Sequence, residues 1–121
     1  MTTASQILTG LVGLLHFFIL TLEMFLWATP FGAKAFKRTL QQQTETKVLA
    51  ANQGLYNGFL AAGLTWSVFA GAPSGFALKV FFLGCVVVAG IYGAATASRG
   101  ILIFQALPGA LALGVTLLAG A

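Results

Sequence analysis

Long apolar runs separated by short polar breaks dominate this chain. Four stretches stand out, Ile7 to Ala28, Val48 to Ala70, Phe76 to Ala97 and Ile101 to Ala119, and each reaches or approaches the roughly 20 residues a helix needs to cross about 30 Å of hydrocarbon. Apolar residues within them are continuous rather than alternating, which excludes the ~10-residue dyad pattern of a transmembrane β-barrel. The first break, Thr29 to Thr46, is long and opens on Thr29-Pro30-Phe31-Gly32, where the proline restrains the residue before it and the glycine permits a turn. Ala72-Pro73-Ser74-Gly75 and Ser98-Arg99-Gly100 make tight breaks, so helices two, three and four are predicted to run antiparallel as packed neighbours. The pattern predicts an all-α integral membrane bundle of four transmembrane helices, a single domain over residues 1–121.

Composition strengthens that reading. Of 121 residues 59% are hydrophobic and 7% charged, whereas a soluble domain carries about 25% charged residues. The first stretch is read as a mature helix rather than a secretory signal, because Met1 to Gln6 carries no Lys or Arg and the apolar run exceeds the ~7–15 residues of a signal core. Lys34, Lys37, Arg38 and Lys47 lie in the first break and Arg99 in the third, with Lys79 alone near the second. This bias puts breaks one and three in the cytoplasm and both termini on the non-cytoplasmic side. The net charge of +4 is then a juxtamembrane cluster facing anionic membrane lipids and calls for no nucleic acid. Phe31, Ala35, Phe36 and Leu40 interleave with those cations, which fits either a short interfacial amphipathic helix or a solvated loop.

Glu23 is one of two acidic residues in the chain and sits inside the first apolar run. A charged group at the centre of a membrane helix costs roughly 2.5–3.5 kcal/mol on insertion scales and is retained where it has a partner or a function. Counted from the helix ends at ~1.5 Å per residue, Glu23, Asn52, Gln53, Tyr56, Asn57, Tyr92, Arg99 and Gln105 all fall in the cytoplasmic half. His16 and Glu23, Tyr92 and Arg99, and Glu45, Asn52 and Tyr56 are spaced by sevens or fours, so each set is expected to share a helix face. Glu23, Tyr92 and Arg99 are the candidate catalytic residues; His16, Asn52, Gln53, Tyr56, Asn57 and Gln105 are the candidate ligand-binding residues. Glu23 is expected to meet Arg99, Asn52 or a tyrosine hydroxyl. The plainer reading of the neutral groups is interhelical hydrogen bonding, worth on average below about 1 kcal/mol each.

Other residues carry less. His16 has no companions for a metal site, and the single Cys85 excludes an intrachain disulfide and reads as a small hydrophobe. Trp27 and Trp66 read as interfacial belt residues. Gly54 with Gly58, Gly90 with Ala94 and Gly93 with Ala97 form small faces for close helix contact, and Pro108-Gly109 is expected to kink the fourth helix.

Two resemblances follow from these segments. Leu22-Glu23-Met24-Phe25-Leu26-Trp27, the run from Thr46 through Asn52-Gln53-Gly54-Leu55-Tyr56-Asn57-Gly58, Phe82-Leu83-Gly84-Cys85 continuing through Ala89-Gly90-Ile91-Tyr92-Gly93, and Gln105-Ala106-Leu107-Pro108 resemble an uncharacterised bacterial family of four-helix inner-membrane proteins, a domain of unknown function. That resemblance spans nearly the whole chain and implies a multi-pass protein of the bacterial inner membrane. More remotely, Glu45-x6-Asn52-x3-Tyr56 and Tyr92-x6-Arg99 are similar to the MAPEG superfamily of eicosanoid and glutathione metabolism. The likeness implies a trimer, a transferase or isomerase activity, glutathione held by Asn52 and Tyr56 and oriented by Tyr92, and a thiolate stabilised by Arg99. Where that superfamily carries an arginine and a glutamate flanking the asparagine, this chain has Val48 and Leu55, so a different amphiphile fits the residues better than an anionic tripeptide.

Two functions are compatible with the sequence. In one, the protein binds or modifies a small lipophilic or amphiphilic molecule in a polar cavity, as a homo-oligomer, with Glu23 giving or taking a proton. In the other, it is a small proton-coupled transporter or a structural accessory subunit of a membrane complex.

Overall fold

The computed structural model describes residues 2–97, 100 and 102–120. Among the described residues every regular element is helical: α1 (Thr3–Thr21), continued by a wider π turn (Leu22–Leu26), then α2 (Pro30–Ala35), α3 (Leu40–Glu45), α4 (Lys47–Phe69), α5 (Ser74–Thr96), a second π turn (Leu102–Ala106) and α6 (Leu107–Ala119). Two helical stretches, Thr3–Leu26 and Ser74–Thr96, are long and apolar enough to cross a membrane, and Ile103–Ala119 is apolar but shorter. Helix α4 matches α5 in length at 23 residues, but Lys47, Asn52, Gln53 and Asn57 dilute its first half. Length and apolarity therefore single out two of the four expected spans.

Contacts within the chain fall into two compact units, Met1–Leu14 with Leu60–Ala121, and Leu15–Phe59. In the first unit, Val12, Leu64, Leu83, Val86 and Ala112 form the core, with Leu8, Leu60, Phe82 and Leu113 packed against it. Glycines set the helix spacing there. Gly63 faces the Phe82 ring, Gly90 lies against Ala106, and a Cβ on Gly109 would fall 2.7 Å from Val86 Cγ1, the close approach expected where small residues line a helix contact. Pro108 occupies the first turn of α6, immediately after the second π turn, where the missing proline N–H costs no α-helical bond. The expected kink is thus a change of winding.

The second unit is organised around Trp27. Its ring is buried at 8% exposure, packs on Phe36 at 4.6 Å between centroids and donates from Nε1 to Thr46 Oγ1 at 3.0 Å. Gln43, fully buried, donates to the Trp27 carbonyl at 3.1 Å. Trp27 is therefore a packing centre instead of a belt residue, while Trp66 is exposed. The first break is neither one amphipathic helix nor a plain loop, since it contains both α2 and α3. Thr29 caps α2 through Gly32 N at 3.1 Å. Thr39 and Gln42 form a capping box on α3, with Gln42 N donating to Thr39 Oγ1 at 3.1 Å and Thr39 N to Gln42 Oε1 at 3.0 Å. Thr39→Ala is expected to cost about 1 kcal/mol, read as roughly fivefold faster amide exchange across residues 40–46; unchanged exchange there would show that the box does not hold the helix.

Candidate functional site

Glu23 lies in the first π turn, at 8% exposure. Its helix reaches α4 at glycines: a Cβ at Gly54 would lie 2.6 Å from Met24 Cγ and 3.1 Å from Glu23 Cβ, and one at Gly58 would lie 2.6 Å from Leu20 Cδ1. That proximity brings Asn57 Nδ2 to 2.6 Å from Glu23 Oε1, and the amide donates to the carboxylate. Such π turns recur at functional positions because the extra residue re-aims a side chain.

Asn57 shares its helix face with Ala50 and Gly54, both buried. Asn52 and Tyr56 lie on the other side of α4 and are exposed, with Tyr56 at 6.0 Å from the Phe59 ring, and Gln53, one turn before Asn57, is exposed at the edge of its face. The partner of Glu23 is thus Asn57 rather than Asn52. Helical phase decides this, since five steps of about 100° leave Asn52 and Asn57 roughly 140° apart around α4. His16 is fully buried in α1. Glu45 ends α3, where its carboxylate accepts from Gln41 Nε2 at 3.3 Å, and Thr46 separates α3 from α4. The stripe expected through Glu45, Asn52 and Tyr56 is consequently divided between two helices.

In the other unit Tyr92 is exposed on α5, at the end of a shallow apolar groove that includes Phe81, Cys85 and Val88. Gln105 is half-buried within the second π turn. Arg99 lies outside the described residues. Among the described residues no three His, Cys, Asp or Glu side chains come together as metal ligands.

A second polar cluster joins residues that the sequence pattern does not bring together. Lys79 Nζ donates to Ser5 Oγ at 3.1 Å, and Ser5 Oγ lies 2.8 Å from Thr116 Oγ1. Ser5, Thr9, Lys79 and Thr116 are all completely buried. A signal existed: Ser5 and Thr9 are one turn apart, and Lys79 is the one charged residue of its apolar run.

Comparison with known proteins finds a match over residues 10–117 to the family described as protein of unknown function, DUF1304. The chain is also similar to the uncharacterized protein YpaA of Lactococcus lactis subsp. lactis, 29% identical over 107 residues that cover 87% of this chain and 89% of the relative. No solved structure matches.

Proposed function

We propose, on the premise that the chain belongs to the DUF1304 family of proteins of unknown function, that it is a multi-pass protein of the bacterial inner membrane which binds a small amphiphilic molecule at Glu23 and Asn57. Membrane residence is supported by what the apolar helices leave uncovered. Only 33% and 28% of the two long apolar windows are buried, and Leu14, Phe25, Phe81 and Val88 point outward with 64–70% of their surface exposed. Large apolar side chains left exposed along both helices need a non-aqueous neighbour. Helix α4 and the segment Ile103–Ala119 complete four spans, with the first connection, rich in Lys and Arg, on the cytoplasmic side.

The Glu23–Asn57 bond carries the ligand reading. Two neutral amides would hold these helices together without the cost of a carboxylate in an apolar span. A neutral or cationic amphiphile suits a carboxylate and a carboxamide better than anionic glutathione. The test is native mass spectrometry of the detergent-extracted protein, which reports subunit number and co-purified small molecules together. Wild type is expected to carry a bound molecule that Glu23→Gln loses while keeping its oligomer. An unliganded wild type, or a Glu23→Gln variant that retains the molecule, would sink the proposal. The burial of His16 two turns before Glu23 favours a second reading, proton-coupled transport, for which Glu23→Gln abolishes proton-driven flux in liposomes.

A further inference from the structure

We propose that Ser5, Thr9, Lys79 and Thr116 form a binding site for the phosphate of an anionic membrane lipid. The inference rests on the membrane reading but is independent of Glu23. A buried ammonium is costly unless it is paired or fully hydrogen-bonded. Lys79 is completely buried, yet its unit, Met1–Leu14 with Leu60–Ala121, contains no Asp or Glu, because both acidic residues, Glu23 and Glu45, belong to the other unit. Among the described residues, what meets the ammonium is neutral: Ser5 Oγ at 3.1 Å, itself 2.8 Å from Thr116 Oγ1.

Thr9 supplies an independent observation. Its hydroxyl is buried and has no hydrogen-bond partner among the described residues, although a helical threonine ordinarily bonds back to the carbonyl four residues earlier. Thr65, Thr21 and Thr96 do bond in that way, to Ala61, Phe17 and Tyr92. An ammonium with three N–H donors and hydroxyls that can each donate match the oxygens of a phosphate diester.

Depth identifies the source. Ser5 is in the first turn of α1, Lys79 in the second turn of α5 and Thr116 in the last turn of α6, so each lies within about 8 Å of a helix terminus at ~1.5 Å per residue. In a spanning helix that is the level of the headgroups. The flanking residues Thr2 to Ala4 and Gly71 to Ser74 are exposed, and a headgroup enters from this end by parting the Ser5–Thr116 contact.

Native mass spectrometry of the full chain in non-ionic detergent tests this with three probes: phosphatidylglycerol, a diacylglycerol of the same chains, and inorganic phosphate. Phosphatidylglycerol is expected to bind about tenfold more tightly than diacylglycerol. Lys79→Met is expected to abolish that preference, Lys79→Arg to keep most of it, and Thr9→Val to weaken it about threefold. If Lys79→Met does not fold, Thr9→Val decides. Equal binding of the two lipids by wild type, unchanged preference in Thr9→Val, or competition by inorganic phosphate at equal concentration would each overturn a lipid headgroup site. Sedimentation with membranes before extraction tests the spanning reading separately.

Discussion

Gly90→Val is expected to destabilise the protein by about 3 kcal/mol, at the upper end of what overpacking normally costs. A Cβ at position 90 would lie 2.7 Å from both the backbone N and the Cβ of Ala106, and 2.8 Å from its Cα. These are main-chain atoms of the second π turn and the methyl attached to them, so no side-chain rotation relieves the clash. Helix α5 must move away from Leu102–Ala106, giving up contacts on both sides. Gly90→Ala introduces the first offending atom and is expected to cost about half as much. Gly84 is the control, since nothing lies within 4 Å of a Cβ there. Thermal unfolding in detergent should show Gly90→Val melting about 10 °C or more below wild type and Gly84→Val close to it. Equal melting of the two variants would mean that α5 does not approach Ala106 so closely.

Asn57→Leu is the second large effect, about 2 kcal/mol. The change keeps a side chain of similar size and removes the donor that meets Glu23 Oε1 at 2.6 Å. Leaving a buried polar group without its hydrogen-bond partner costs about 1–3 kcal/mol. The pair can be separated from its surroundings by a double-mutant cycle. Glu23→Leu/Asn57→Leu is expected to unfold later than Asn57→Leu alone, because replacing both partners with apolar groups leaves no buried polar group unpaired. Strictly additive losses in denaturant or heat would show that the two residues do not interact.

Helix positions were largely legible in the sequence. Expected stretches at Val48 to Ala70 and Phe76 to Ala97 correspond to Lys47–Phe69 and Ser74–Thr96, because continuous apolarity bounded by Pro, Gly and Ser leaves little freedom. Glu23 stood out for the reverse reason, a single charge in an apolar run. Its partner did not, because choosing among Asn52, Tyr56 and Asn57 needs the phase of α4 relative to α1, which the close contacts at Gly54 and Gly58 settle. The burial of Ser5, Thr9, Lys79 and Thr116 was not legible, since isolated hydroxyls in apolar helices are unremarkable and only the chain of contacts from Lys79 through Ser5 to Thr116 gives them meaning. Trp27 misled through an average: tryptophans near helix ends usually face the interface, but Thr46 and Gln43 draw this one inward.

The two wide turns, Leu22–Leu26 and Leu102–Ala106, make the count of residues in each a structural variable in its own right. A regular helix advances about 100° per residue, and each turn accommodates one residue beyond that winding. Deleting a single residue between positions 22 and 26 would restore uniform coiling and turn the helical segments on either side by about 100° relative to one another, for the loss of one residue.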